Sequence, residues 1–162
     1  QPLKKKVLLM KAGAIILSGG KSSRMGTNKA LLPFKEKTNI ERIRDELRSL
    51  FDDIILVTND PESYEFLKIK TVSDKYPGKG PLAGVHAGLM ASNYEENIVV
   101  ACDMPFVSAD LAGTLVLDKL NVRYLEEVDL HAYGDGRLEE IFFNMNFPEE
   151  YEDAKKRVEL GE

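Results

Sequence analysis

The sequence contains a single cysteine, Cys102, so it has no pair of thiols that could form an intrachain disulfide. Nor does it contain an apolar run approaching the roughly 20 residues that a membrane-spanning helix needs. Basic residues are outnumbered, since 22 lysines and arginines stand against 27 aspartates and glutamates for a formal net charge of −5. A chain of this charge is unsuited to general nucleic-acid binding. We therefore expect a cytoplasmic protein that binds neither nucleic acid nor a membrane.

Two common phosphate-binding motifs are also missing. A Walker A loop needs glycine where Ile15 stands, and no G-x-G-x-x-G motif occurs around Gly19 because Lys21 follows two positions later. The sequence shows no Ser-His-Asp, Cys-His or paired-carboxylate pattern typical of nucleophilic or acid–base catalysis. If the protein is an enzyme, its chemistry is then of a kind that needs neither a side-chain nucleophile nor a general base.

The most informative segment that is present runs over residues 14–29. An apolar run there stops at Gly19 and Gly20, which let the backbone turn tightly and bring its N–H groups close to a ligand. The loop after them adds three cations, which are Lys21, Arg24 and Lys29. Backbone donors and positive charge in one concave loop predict a site for a polyphosphate.

The pattern Leu-x-Gly-Gly-x-Ser-x-Arg-Met-Gly-x-x-Lys, which begins at Leu17, resembles the signature of the MobA-like nucleotidyltransferases and, among them, of the molybdenum cofactor guanylyltransferases. The resemblance is specific because the pattern fixes several chemically distinct residues in order. It implies transfer of GMP from GTP to the terminal phosphate of molybdopterin or Mo-molybdopterin, with release of pyrophosphate. It also implies Mg²⁺ as the cofactor and proteins of molybdenum cofactor biosynthesis as partners.

A reaction of this kind explains the missing general base. The second pKa of a phosphate monoester is about 6, so an acceptor phosphate is largely dianionic at neutral pH and can attack without being deprotonated. Catalysis then consists of positioning the reactants and neutralising their charge. The resemblance assigns this work to three residues, Lys29, Arg24 and Asp103.

Asp103 is the candidate metal ligand. It follows an apolar run, and Pro105 biases Met104 towards an extended backbone that fixes the exit of the chain. A single aspartate facing a phosphate loop is enough for Mg²⁺, which prefers one or two carboxylates together with phosphate oxygens and water. An aspartate that only caps the following turn is the structural alternative. The resemblance of Cys-Asp-Met-Pro to the family's metal-binding motif favours the metal site.

The resemblance further assigns the nucleotide to a set of residues at the predicted carboxyl ends of strands, where ligands of open α/β sheets bind. These are Leu17, Ser18, Gly19, Gly20, Lys29, Asn59, Asp74 and Asp103. Asn59 and Asp74 are also common turn residues, so a purely structural role stays open for both. Guanine carries donors at N1 and N2 that their oxygens could accept. The segment 144–150 resembles a further family signature, which places Asn144 and Asn146 on the acceptor side. A structural role, in which these amides only hold backbone groups of their loop, stays equally open.

Short apolar runs alternate with helical patterns, which predicts an α/β fold with a mainly parallel sheet. The resemblance specifies a three-layer, Rossmann-like nucleotidyltransferase fold. We expect strands at residues 14–17, 53–58, 69–72, 97–102 (the clearest central strand), 122–125 and near 140–143. We expect helices at residues 38–51 and 61–67, from the loop 74–84 through residue 91, after a cap at Ser108, and at 148–160.

Residues 10–162 are expected to form a single nucleotidyltransferase domain, because 162 residues with 43% hydrophobic content suffice for one core. Residues 1–9 are expected to be an extension or a cloning remnant, since Met10 is a candidate start. Near residues 116–117 the chain lacks roughly one strand–helix–strand unit, ~30 residues, that relatives have. Either the chain is naturally reduced there or a segment has been omitted, and we favour omission because a parallel sheet without that unit would expose apolar faces.

Two alternative functions remain open. The first is a transferase of the same fold that uses CTP or acts on a sugar phosphate. Gly19-Gly20 favours GTP, since cytidylyl-transferring relatives tend to carry Ala-Gly there, although one methyl group discriminates by only ~1–3 kcal/mol. The second is a nucleotide-binding protein without transferase activity, because the gap near residues 116–117 could remove the acceptor half of the site.

Overall fold

A computed structural model describes residues 10–19, 28–77, 79–117 and 148–160 of the chain. In chain order the elements are strand β1 (Met10–Leu17), a first 3₁₀ turn (Lys29–Leu31), the short strands β2 (Pro33–Phe34) and β3 (Lys37–Thr38), helix α1 (Asn39–Arg48), strand β4 (Phe51–Val57), a second 3₁₀ turn (Glu62–Leu67), strand β5 (Lys70–Val72), helix α2 (Pro81–Ala91), strand β6 (Asn97–Ala101) and helices α3 (Ala109–Leu117) and α4 (Pro148–Leu160).

Four strands form a sheet in the order β5-β4-β1-β6, and every pair in it is parallel. The predicted α/β fold with a mainly parallel sheet is therefore confirmed. Strands β1 and β4 are central, and β6 lies at one end of the described order. Strand β1 begins before the predicted residue 14, because Met10 and Gly13 pair with Phe51 and Asp53 of β4.

The two faces of the sheet carry different helices. On one face, Ile16 and Leu56 pack with Ile40 and Ile43 of α1 in the main core. On the other face, Ile15 packs with Val57 and with Ala87 of α2. Successive residues of a strand point to opposite faces, so these alternating contacts create a layer of helices on each side. This is the three-layer arrangement that the resemblance implies.

Helix α2 lies unusually close to the sheet. A Cβ atom built on Gly88 would come within 2.5 Å of the Cγ2 atom of Ile15, so only glycine allows this approach. The helix begins at Pro81, which has no N–H to leave unsatisfied in a first turn. The predicted end of the helix at residue 91 is confirmed.

Helix α1 starts at a capping box, in which Thr38 accepts from the amide of Glu41 and the Glu41 carboxylate accepts from the amide of Thr38. It ends at Arg48, three residues before the predicted boundary, because Phe51 already pairs in β4. The β2–β3 hairpin before it was not predicted, since two-residue strands give no hydrophobic period. Its turn contains Lys35 at a positive φ of 55°.

Helix α4 covers that hairpin and confirms the helix predicted at residues 148–160. Tyr151 contacts the ring of Phe34 edge-on, with 5.5 Å between the centroids, and its hydroxyl donates to the carbonyl of Pro33 at 2.8 Å. Ala154 and Val158 complete a small second core there. The C-terminal helix thus holds the segment that follows the first 3₁₀ turn.

Two further predicted features lie within the described residues. Residues 61–67 form a 3₁₀ turn from Glu62, and Ser108 caps α3 by accepting from the amide of Leu111 at 3.2 Å. The strands expected at residues 122–125 and 140–143, the extension at residues 1–9 and whatever follows residue 117 lie outside the described residues. Within the part of the chain that the structure describes, no helix has the length and apolarity to cross a membrane.

Candidate functional site

Three strands end at the same level of the sheet, and the segments that follow them form the candidate site. Leu17 pairs with Val57 on one side and with Ala101 on the other. The amide of Ser18 donates to the carbonyl of Val57 at 2.9 Å, and the amide of Cys102 donates to the carbonyl of Leu17 at 3.0 Å. Leu17 therefore lies at the base of the site, and the loops that begin at residues 18, 58 and 102 emerge side by side.

Gly19 is the last described residue before the predicted phosphate loop, and it is exposed. A Cβ atom added to it would find no heavy atom of the described residues within 4 Å, and its φ is outside the left-handed range. Neither backbone strain nor packing against the described residues requires glycine at this position. The predicted site residues Gly20 and Arg24 lie outside the described residues, as does Lys21.

The described part of the chain resumes at Asn28. Asn28 and Ser18 both form hydrogen bonds with the buried hydroxyl of Tyr64. The Oγ atom of Ser18 and the OH of Tyr64 are 2.6 Å apart, and Nδ2 of Asn28 donates to the same OH at 2.7 Å. The Oδ1 atom of Asn28 accepts from the amide of Ala30 at 3.1 Å and caps the first 3₁₀ turn. The residues on both sides of the segment 19–27 are thereby joined through one side chain.

The charges of Lys29 and Asp103 both shift the pKa of the Cys102 thiol. Burial, with a smaller contribution from the negative charge of Asp103, raises the pKa of Cys102 to about 11. A hydrogen bond from Ser18 and the positive charge of Lys29 lower it by less. Cys102 is therefore a neutral thiol at neutral pH and is not a nucleophile. Lys29, Asp103 and Ser18 therefore all act on the same thiol.

Asp103 lies in the turn that begins at Cys102, directly after β6, and is partly buried. The main-chain carbonyl of the residue before it, Cys102, accepts a hydrogen bond of 2.6 Å from Nδ2 of Asn39. Asn39 is fully buried at the first position of α1. The sequence predicts only that Asn39 lies in a helix, because no local pattern relates it to Cys102, which is 63 positions further along the chain.

Asn59 and Asp74 meet on the other side of the site. The Oδ1 atom of Asn59 accepts from the amide of Asp74 at 3.2 Å, and the Oδ1 atom of Asp74 accepts from the amide of Tyr76 at 2.6 Å. Both side chains thus stabilise turns, as the structural alternative predicts. An amide group and the second carboxylate oxygen have further hydrogen-bonding capacity, so a role towards a ligand stays a prediction.

The described residues contain no group of three or more His, Cys, Asp or Glu side chains that could hold a metal ion. A closed cage of protein ligands is therefore absent from this part of the chain. The carboxylate of Asp103 fits instead a cation that takes most of its ligands from phosphate oxygens and water, as Mg²⁺ does. The predicted acceptor residues Asn144 and Asn146 lie outside the described residues.

Comparison with known proteins adds a sequence match over most of this architecture. The sequence model of the MobA-like NTP transferase domain matches residues 14–123. A protein of Peptoclostridium acidaminophilum named "Probable molybdenum cofactor guanylyltransferase" is 48% identical over 97 residues, which are 60% of this chain and 44% of that protein. The "Molybdenum cofactor guanylyltransferase" of Syntrophotalea carbinolica is 43% identical over 102 residues, or 62% of this chain and 49% of that protein.

A solved structure extends the likeness of the fold. The molybdopterin-guanine dinucleotide biosynthesis protein A of Archaeoglobus fulgidus superposes with a TM-score of 0.72, covers 91% of this chain and 99% of its own, and is 21% identical. At that identity the likeness shows the fold alone. The chain spans about half the length of the curated relatives that it matches.

Proposed function

Because this chain belongs to the MobA-like NTP transferase family, we propose that it transfers GMP from GTP to the terminal phosphate of molybdopterin, in its free or Mo-bound form. The observation that carries the proposal is that the segments containing Gly19 and Asp103 emerge side by side at the carboxyl ends of β1 and β6, while the charge of Lys29 acts on Cys102 beside Asp103. Their charges and the exposed backbone suit a nucleoside triphosphate. The names of the relatives at 48% and 43% identity support the choice of reaction.

The open space at Gly19 supports binding of phosphates by the backbone. None of residues 10–19, 28–77, 79–117 and 148–160 places an atom within 4 Å of a Cβ atom at this position. A glycine that these residues do not need for packing leaves room for a ligand to approach the main chain. Amides at the end of a parallel strand can then donate to phosphate oxygens.

The reaction that we propose balances without an acid or base from the protein. A phosphate oxygen of the acceptor attacks the α-phosphorus of GTP, and the bond from that phosphorus to the oxygen bridging to the β-phosphate breaks. Pyrophosphate leaves with the electron pair of the broken bond. Lys29, together with Arg24, stabilises the charge that develops on the leaving group. The neutral thiol of Cys102 takes no part.

Asp103 is the residue that would hold Mg²⁺. When bound, the cation would neutralise negative charge on the reacting phosphates, which lowers the repulsion between acceptor and donor. Asp103 is partly buried, and the amide of the residue before it donates to the carbonyl of Leu17 at the end of β1, which supports a position near the proposed phosphate site. The contact between Asn39 and the carbonyl of Cys102 orients the chain that carries this carboxylate.

Asn59 and Asp74 are proposed to bind the guanine base. Guanine offers N1–H and N2–H donors, and the second carboxylate oxygen of Asp74 can accept from them. The contact between the two residues holds that carboxylate at the edge of the site. Asn144 and Asn146 are proposed for the acceptor side, on the strength of the family pattern.

The proposal is tested by measuring pyrophosphate release from GTP, Mg²⁺ and molybdopterin. Asp103→Asn and Lys29→Ala are each expected to lower kcat/KM by 10²-fold or more, on the order of the loss of one group that stabilises transition-state charge. Asp153→Asn and Lys37→Ala are matched controls, since both residues form ion pairs outside the site, with Arg157 and Asp45. Full turnover in the two site variants would contradict the proposed roles.

Nucleotide binding without transfer is a second candidate, favoured by the fact that the chain spans about half the length of its curated relatives. It predicts that GTP binds while no pyrophosphate forms when molybdopterin is added. The mass of the intact protein decides whether a segment near residues 116–117 has been omitted from the sequence. A mass equal to that of the 162 residues would favour this second candidate.

A further inference from the structure

We propose that Tyr64 is a positioning residue that holds Lys29 in place against the end of β1, an inference that rests on the proposed nucleotide site. Tyr64 lies in the second 3₁₀ turn, far along the chain from either partner. Its hydroxyl is within hydrogen-bonding distance of Ser18 and Asn28, which precede and follow the segment 19–27. A single hydroxyl therefore sets the relative position of the two residues between which the predicted phosphate loop runs.

The bonds at this hydroxyl are short and buried. Tyr64 is 2% exposed and Ser18 is 8% exposed, and the two contacts measure 2.6 and 2.7 Å. Hydrogen bonds in such surroundings are strong, and polar groups left unpaired there are costly. A phenylalanine would fill the same space without needing partners. The contribution of the hydroxyl therefore lies in the two residues that it connects.

The direction of the bond to Asn28 follows from its chemistry. The amide nitrogen of Asn28 can only donate, so Tyr64 accepts there. Between Tyr64 and Ser18 either oxygen can be the donor. Ser18 also interacts with the thiol of Cys102 and lowers the pKa of that thiol. The chain Asn28–Tyr64–Ser18–Cys102 reaches the residue next to Asp103.

Lys29 lies at the other end of this chain. The side-chain nitrogen of Asn28 donates to Tyr64, and its side-chain oxygen accepts from the amide of Ala30. Asn28 and Ala30 are the residues directly before and after Lys29. The carbonyl of Asn28 also accepts from the amide of Leu31 at 3.1 Å. Holding Asn28 thus holds the whole first 3₁₀ turn. Tyr64 itself is fixed, since its ring belongs to the main core and its amide donates to the carbonyl of Pro61.

Tyr64→Phe tests the inference because it keeps the ring and removes only the hydroxyl. Tyr94→Phe is the matched control: the hydroxyl of Tyr94 also forms a hydrogen bond with a side chain, the carboxylate of Asp52, but Asp52 is in the first half of β4, away from the site. Two quantities are compared in both variants. They are amide hydrogen exchange in the peptide covering residues 28–32, and the affinity for GTP in the presence of Mg²⁺.

We expect Tyr64→Phe to speed exchange in that peptide about tenfold or more and to weaken GTP binding by a similar factor, since each is set by one buried hydrogen-bonding group. Tyr94→Phe should leave both unchanged. Unchanged exchange in Tyr64→Phe overturns the inference whatever the affinity, and so does faster exchange with unchanged GTP affinity. Faster exchange in a protein whose wild type binds no GTP keeps the positioning role and overturns the proposed function. If Tyr64→Phe does not fold, Ser18→Ala removes the other end of the same bond and is expected to act in the same direction.

Discussion

The side-chain amide of Asn39 donates to the main-chain carbonyl of Cys102 across 2.6 Å and so ties the start of α1 to the end of β6. The donor lies in the interior, since Asn39 is 0% exposed, and the bond is partly buried. The bond orients the chain immediately before Asp103. A helix whose surface was expected only to fill the core thus also positions the candidate metal ligand.

Replacing Asn39 by alanine is predicted to leave that carbonyl without its donor. The free energy of unfolding should fall by about 1–3 kcal/mol, the cost of one unsatisfied buried group. Urea denaturation measures it, with an unchanged slope showing that only stability has moved. Asn93→Ala is a suitable control, since Asn93 is exposed and contributes its main-chain amide to Asp53. A change below about 0.5 kcal/mol in Asn39→Ala, the level typical of surface substitutions, would contradict the assigned role.

Gly19 and Gly88 should respond in opposite ways to alanine. An added Cβ atom at Gly19 meets no atom of the described part of the chain within 4 Å, whereas one at Gly88 meets Ile15 at 2.5 Å. Gly88→Ala is therefore predicted to lose ~1–3 kcal/mol of stability through overpacking. Gly19→Ala is predicted to keep its stability and to lose affinity for GTP about tenfold, because one methyl in a close-fitting site is worth ~1–3 kcal/mol. Thermal unfolding and GTP titration measure both effects, and unchanged GTP affinity in a stable Gly19→Ala protein would remove the backbone contact.

The fold follows from the sequence where the residues give a local signal. Apolar runs such as Ile54–Val57 and capping residues such as Thr38 and Ser108 act over a few positions, so their elements were predicted within about three residues. The β2–β3 hairpin was missed because its strands have two residues each and owe their place to helix α4, a contact between Tyr151 and Pro33. No local pattern encodes that contact.

The candidate site was predicted in the same uneven way. Gly19 and Asp103 follow two strands of the sheet, so the rule for parallel sheets predicts that their loops emerge at the same edge. The roles of Tyr64 and Asn39 could not be predicted, because each acts through a partner 36 to 63 positions away and looks like an ordinary core residue. A residue that positions another one through a distant contact belongs to no sequence motif by which it could be recognised.

Stability at alkaline pH is predicted to depend on Cys102. Burial raises the pKa of this thiol from 9.0 to about 11 in the folded protein. Between these values the unfolded state releases its proton and the folded state keeps it, so stability falls as the pH rises from about 9 to about 11. A shift of this size corresponds to a loss on the order of 2–3 kcal/mol. Denaturant unfolding at pH 8 and pH 11 should show the loss in the wild type and a smaller one in Cys102→Ala. Equal losses in the two proteins would refute it.

Base preference is predicted to depend on Asp74. Guanine offers two neighbouring donors to a carboxylate, whereas cytosine offers one amino group, so GTP should compete with labelled GTP at least tenfold better than CTP does. Asp74→Ala should bring the two competitors to within a few-fold of each other. Asp74→Asn keeps an oxygen for the amide of Tyr76 and separates the effect of the charge from that of the turn. Stronger competition by CTP in the wild type would favour the cytidylyl alternative.

The measurement that most directly tests guanylyl transfer is the fate of the α-phosphate. GTP labelled at the α-phosphorus is incubated with the protein, Mg²⁺ and molybdopterin, and the products are separated. The account predicts that the α-label enters a dinucleotide with molybdopterin while a γ-label appears only in pyrophosphate, and that both transfers are lost in Asp103→Asn. Recovery of the γ-label as inorganic phosphate with the α-label in GDP would contradict it.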